Sequence, residues 1–308
     1  MTTAARRRRE TRHRAAEPVF DAHGGVARRK DLKGVGISRD DLRTELRAGR
    51  WTSGGIHTVV AGPEITEQLG LHWRAVWESG SGAVLDGVSA LIAAGLTGFT
   101  HSGIDVSVPH GNQVHIVQGV RARTRRRLSP TSVSGVPRVR PEQAVIRGAE
   151  LAVSDRQATL IVCLAVQQRL VSTARLLAAW QGVRRSRRRA LLDQIIRDVC
   201  DGAQSLGELD FAAACRRRGL PEPTRQRVCR VNGGRVYLDA AWDGMGLVVE
   251  IDGGHHGAAL LPLDDALRQN EVTLTNKRVL RIPLTGWRLD RDVFMDQVAR
   301  GLALPEAA

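Results

Sequence analysis

Three observations predict a fold of the α/β class (α+β) for this 308-residue chain. Short capped helical stretches alternate with ribbons turned at Gly and Asn. Apolar residues make up 42% and charged residues 25%, which matches a globular chain and excludes a disordered one. At roughly 150 residues per domain the length suggests about two domains or three small ones. The expected organisation is a basic arm (1–14), a winged helix-turn-helix (15–62), a mixed α/β middle (63–200) and a C-terminal αβββαβα unit (201–308).

The arm carries Arg6, Arg7, Arg8, Arg9, Arg12 and Arg14 and is expected to lack fixed structure when free. After it, Pro18 suits the first turn of a helix Glu17–His23, which Gly24 and Gly25 stop. A short helix near Arg28–Leu32 follows. Ser38 reads as the N-cap of a helix Arg39–Ala48, with Asp40 and Asp41 in its first turn, where the dipole favours negative charge. Arg39, Arg43 and Arg47 recur every four residues and share one face; Leu42 and Leu46 share another. Ser53-Gly54-Gly55 then divides two strand-like runs, Trp51–Thr52 and Ile56–Val60. Three helices and a hairpin make a winged helix, whose third helix would enter a major groove of double-stranded DNA. Arg39, Arg43, Arg47 and Arg50 are its candidate DNA contacts; the plainer alternative is that they only solvate a helix. The stretch VARRKDLKGVGISRDDLRTELRAGRWTSGGIHTVVAG resembles the N-terminal winged helix of AbiEi-type antitoxins.

Charge agrees with a polyanionic partner. Lys and Arg total 46 against 32 Asp and Glu, a net +14, and the only lysines are Lys30, Lys33 and Lys277. No apolar run approaches the ~18 residues of a membrane span. The basic N-terminus has no apolar core behind it, so no secretory signal and no membrane partner are expected. Cys163, Cys200, Cys215 and Cys229 form no C-x-x-C pair and are read as reduced thiols of a cytoplasmic protein.

In the middle, a helix Ser89–Gly95 precedes strands Ile104–Val108 and Val114–Gln118, joined by a turn at His110-Gly111-Asn112. Helices follow at Pro141–Ala152, Asp155–Gln168, Ser172–Gln181 and Arg187–Cys200. The pattern GAVLDGVSALIAAGL and the strand after it resemble the middle of AbiEi-type proteins. No catalytic constellation is legible here. Arg121–Arg127 and Arg184–Arg189 are basic clusters that would extend a phosphate-contacting surface.

The C-terminal unit opens with Ser205-Leu206-Gly207-Glu208, a capping box for a helix Leu206–Arg218. Strands Gln226–Val231, Arg235–Trp242 and Leu247–Ile251 follow, then a helix Asp264–Thr275, a strand Arg278–Pro283 and a helix near Asp290–Leu302. A four-residue loop at 243–246 pairs Trp242 with Leu247 and so sets Asp239 opposite Glu250, with Cβ atoms about 5 Å apart. Asp252 lies two residues along the same strand. Its neighbours Leu247, Val248, Val249 and Ile251 imply burial on both faces. Facing carboxylates repel unless a cation offsets them, and a divalent ion with oxygen ligands, Mg2+ or Mn2+, is the economical answer. Such an ion supports phosphodiester hydrolysis, with His256 or His255 orienting the water or donating to the leaving oxygen.

These residues resemble the domain-of-unknown-function 559 family, which is similar to very-short-patch-repair endonucleases in the PD-(D/E)XK nuclease superfamily. The motif positions are Glu208, Leu238-Asp239, Val249-Glu250-Ile251-Asp252-Gly253-x-x-His256, Asp265 with Arg268, and Val279-Leu280-Arg281. The resemblance implies a restriction-endonuclease-like core. It makes Asp239 and Glu250 metal-binding acids and Glu208 the helical acid, with Asp252 and His256 flanking the site. Asp252 stands where the wider superfamily has a lysine, and in relatives with E-x-D-G it would serve as a further metal ligand. Plainer alternatives remain: Glu208 as a capping partner, Asp239 paired with Arg235 or Arg268, and Glu250 with Asp252 bridged to Arg268 and Arg281. The expected activity is metal-dependent hydrolysis of DNA. The alternative is a DNA-binding regulator or antitoxin without enzymatic activity. A toxin partner or a homodimer is left open by the sequence.

Overall fold

The computed structural model describes residues 3–128, 131–132, 134–200, 211–230, 236–252 and 279–303. It is a mixed α/β structure and divides into two compact units: residues 1–95 with 99–144, and residues 96–98 with 145–308. The stretch 63–200 is therefore shared between the units. Among the described residues no helix is long and apolar enough to cross a membrane.

The first unit begins with α1 (Thr3–Asp21), β1 (Val26–Arg28), α2 (Arg29–Gly34), α3 (Arg39–Arg47), β2 (Trp51–Ser53) and β3 (Thr58–Ala61). The strands form a sheet of order β1-β3-β2, both pairings antiparallel, which with the three helices is winged-helix topology. Its core joins Phe20, Leu32, Ile37, Leu42, Trp51 and Val59, with Phe20 edge-on to Trp51 at 5.2 Å. Ser38 caps α3 through a reciprocal box: its Oγ accepts the Asp41 amide at 3.1 Å, and the Asp41 carboxylate accepts the Ser38 amide at 3.2 Å.

The arm differs from the expectation of an unstructured tail. Helix α1 starts at Thr3 and runs through Pro18 instead of starting at Glu17. The cause is tertiary: Arg12 and His13 project from α1 onto Asp41 and Glu45 of α3, while Ala16 and Phe20 bury in the core.

The unit continues through α4 (Gln68–Ser79), β4 (Val84–Leu85), α5 (Gly87–Ala93), β5 (Ile104–Pro109), β6 (Val120–Arg125), β7 (Thr131–Ser132) and β8 (Arg138–Val139). The sheet order is β6-β5-β4-β8-β7. The expected hairpin at His110-Gly111-Asn112 is absent. Besides its antiparallel pairing with β4, β5 pairs with β6, in parallel register from Ile104↔Val120 to Pro109↔Arg125. Val114 and Ile116 lie exposed in the return segment, so the apolar alternation that suggested a strand there is not buried. Helix α6 (Pro141–Leu151) leads across the boundary between the units.

The second unit holds α7 (Asp155–Gln167), α8 (Thr173–Gln181) and α9 (Arg189–Cys200), then α10 (Phe211–Arg217) and strands β9 (Arg225–Arg230), β10 (Val236–Trp242) and β11 (Leu247–Asp252). It closes with β12 (Val279–Pro283), α11 (Leu284–Leu289) and α12 (Arg291–Ala303). The sheet order is β12-β11-β10-β9, antiparallel except for β11 with β12. Residues 243–246 form the predicted four-residue turn, closed by the Met245 amide donating to the Trp242 carbonyl, with Gly246 at φ +62° where a side chain would be strained. Leu247, Val249, Ile251, Leu280 and Ile282 pack with Phe211, Trp287 and Phe294 in the core.

Candidate functional site

Alternation along the strands separates two faces of the second unit's sheet. Leu247, Val249 and Ile251 of β11 are buried, whereas Val248 and Glu250 are half-buried. On β12, Leu280 and Ile282 are buried, whereas Val279 and Arg281 are exposed. Burial on both faces, inferred from the apolar run of β11, is therefore not what the described residues show. The carboxylates occupy the more open face, where water and ions can reach Glu250.

Register then decides the neighbours. Asp239 pairs with Glu250 across the β10–β11 hairpin, as the loop length predicts. On its outer side Asp239 is in register with Arg227 of β9, and Glu250 with Arg281 of β12. One row across four strands thus reads Arg, Asp, Glu, Arg. Arg281 Nε donates to Glu250 Oε2 at 3.3 Å. This is one limb of the ion-pair network that the sequence left as an alternative, and the guanidinium offsets part of the repulsion within the carboxylate pair.

Asp239 and Glu250 offer neighbouring carboxylate oxygens, the donors that Mg2+ and Mn2+ take. The pair would supply only part of such an ion's shell. Among the described residues no group of three or more His, Cys, Asp or Glu side chains gathers to complete one. Asp252 ends β11, its backbone in register with Tyr237 and Pro283. Glu208, His255, His256, Asp265 and Arg268 lie outside the described residues, as does Arg235.

In the first unit the four candidate arginines separate into two groups. Arg39, Arg43 and Arg47 are exposed on α3, with Arg43 bound to Asp40 at 2.9 Å. Arg50 instead donates through Nε to the fully buried Glu45 carboxylate at 2.5 Å. Arg12 Nη2 reaches the other Glu45 oxygen at 2.6 Å, and His13 Nε2 lies 3.0 Å from Oε2. Burial pushes the Glu45 pKa up, but hydrogen bonds from Arg50, His13 and Arg12 outweigh it and hold the carboxyl at about 2. Arg50 therefore braces α3.

The Arg121–Arg127 cluster is partly spent in the same way. Arg121 Nε and Arg123 Nη1 donate to the buried Asp105 at 3.1 and 3.0 Å, and His101 Nε2 lies 2.6 Å from its other oxygen. Arg188 pairs with Asp155, and Arg189 lies over the Trp180 ring at 4.5 Å. Sequence reasoning missed these roles because the partners come from distant positions.

It also missed the clamp on the wing. Glu78 of α4 accepts the amides of Ile56 and His57 at 2.9 and 2.8 Å and the Thr58 hydroxyl at 2.7 Å. A Cβ at Gly55 would meet the Glu78 carboxyl carbon at 2.3 Å. Nothing local marks Glu78, since its partners lie about twenty positions upstream.

No protein-family model matches this chain, and no curated protein matches it. Among solved structures it is similar to the RV2827C protein from Mycobacterium tuberculosis, at 17% identity and a TM-score of 0.40, covering 62% of this chain and 76% of that one.

Proposed function

We propose that the chain binds double-stranded DNA through its winged helix and hydrolyses DNA phosphodiester bonds with a divalent cation, Mg2+ or Mn2+, held at Asp239 and Glu250. The observation that carries this reading is the in-register opposition of those two carboxylates on the more open face of the sheet. A bound cation of this kind supplies Lewis acidity to a phosphate oxygen and a lowered pKa to the attacking water. Asp239 and Glu250 contribute the anionic oxygens that retain it. Arg281, beside Glu250, balances charge and presents a guanidinium suited to a phosphate oxygen. Asp252, Glu208 and His256 enter through the family resemblance, as a further ligand, the helical acid and a water-orienting group. The exposed arginines Arg39, Arg43 and Arg47 supply the backbone contacts. The reading takes the protein to act in the cytoplasm, in keeping with free thiols at Cys163 and Cys215.

The Arg281–Glu250 ion pair favours a second reading, in which the C-terminal sheet is a scaffold and the protein is a DNA-binding regulator of antitoxin type. Nicking of supercoiled DNA separates the two. A nuclease nicks with Mg2+ or Mn2+ and loses this in Asp239→Ala and Glu250→Ala while both variants still bind DNA. Binding without nicking across metals and substrates selects the regulator.

A further inference from the structure

A cleft of about 890 Å³ opens within the first unit. One wall is the start of α2 and the wing tip, with Arg29, Lys30 and His57; Trp77 and His115 also line it. Among the described residues no carboxylate lines the cleft. Arg28 borders it too, but Asp31 offsets its charge at 2.8 Å.

The walls are preformed. Arg29 Nη2 donates to the Ser53 hydroxyl and the Gly55 carbonyl, at 3.1 and 3.3 Å, so its guanidinium is fixed against the wing. The wing is fixed in turn by Glu78. Asn112 Nδ2 donates to the Ser81 carbonyl at 2.8 Å, tying together two loops that border the cleft. The His57 and His115 rings meet edge to face at 6.0 Å.

No lining carboxylate among the described residues competes for Arg29 and Lys30, so an anionic oxygen entering the cleft would meet charged donors. A guanidinium, an ammonium and two imidazoles around one space suit an anion with several oxygens better than a single carboxylate. The volume lies in the range of about 300–1,000 Å³ typical of small-ligand sites.

We propose that this cleft binds a phosphate group carried on a nucleoside, supplied either as a free nucleotide or as one residue of a nucleic-acid strand. The site is separate from the Asp239–Glu250 pair and does not depend on it.

Titration calorimetry on the full chain tests this, with AMP, adenosine and a short DNA duplex as probes. The comparison variants are Lys30→Gln with His115→Gln, which spare the Arg29 contacts to the wing, and Arg43→Ala on α3. If a free nucleotide is the source, AMP binds, adenosine binds at least tenfold more weakly, and the double variant loses AMP affinity at least tenfold. If a strand is the source, AMP gives no heat, but the double variant weakens duplex binding at least fivefold. The proposal is overturned if AMP and adenosine bind alike, if AMP binds wild type and double variant alike, or if AMP gives no heat and the double variant leaves duplex binding unchanged. Arg43→Ala reports on the α3 surface alone. Loss of duplex binding there, with the double variant unaffected and AMP silent, rejects the cleft and retains the DNA reading. AMP binding in a chain that binds no duplex does the reverse.

Discussion

Asp239 on β10 and Glu250 on β11 stand directly opposite each other, with Arg281 of β12 donating to Glu250 at 3.3 Å. The arginine sits beside one carboxylate and partly neutralises a pair that would otherwise repel. The proposed divalent ion would share with this guanidinium the task of balancing the carboxylate pair. Arg281→Ala should cost up to about 1 kcal/mol in EDTA, because the pair is partly exposed. Millimolar Mn2+ should then raise the melting temperature more in the variant than in wild type. Equal shifts in both proteins would show that no ion replaces the arginine.

Glu45 carries the coupling of α1 to α3. Its carboxyl titrates near 2 in the folded chain against an ordinary 4.5, so its contribution is complete above about pH 4.5 and is lost as pH falls through 2. Glu45→Gln removes charge-assisted bonds to Arg12 and Arg50 and should destabilise the first unit by about 1.5–3 kcal/mol at neutral pH. Denaturant unfolding between pH 2 and 7 checks this: the variant should show a shallower acid limb than wild type.

The exposed face of α3 makes a prediction about salt. Each arginine that neutralises a DNA phosphate contributes about 0.9 to the slope of log affinity against log salt. Arg39→Ala and Arg47→Ala should each lower the slope by about that amount when duplex binding is followed by anisotropy. Arg50→Ala should leave the slope nearly unchanged and lower stability instead, because its guanidinium is held by Glu45.

Gly55 is required by packing. A methyl group there would fall 2.3 Å from the Glu78 carboxyl carbon and displace it from the Ile56 and His57 amides. Gly55→Ala should cost about 1–3 kcal/mol, read from thermal melts of wild type and variant.

Local signals carried much of this fold. The Ser38 cap and the four-residue turn ending at Gly246 were legible because each is settled within a few residues. The Asp239–Glu250 register followed from loop length alone. What the sequence concealed depends on distant partners. The parallel return to β6 cannot be told from a hairpin by alternation when both runs are short. Helix α4 has no side-chain cap at Glu67 to announce it. Arg50 and Arg121 look like surface cations until the buried Glu45 and Asp105 are brought to them by folding.

Calorimetric titration of the full chain with Mn2+, wild type against Glu250→Gln, bears most directly on the carboxylate pair. Saturable binding in wild type, weakened at least tenfold in the variant while both unfold at similar temperatures, is the expected result. Absence of binding in wild type, or identical isotherms in the two proteins, would remove the ion from between Asp239 and Glu250 and the hydrolytic function with it.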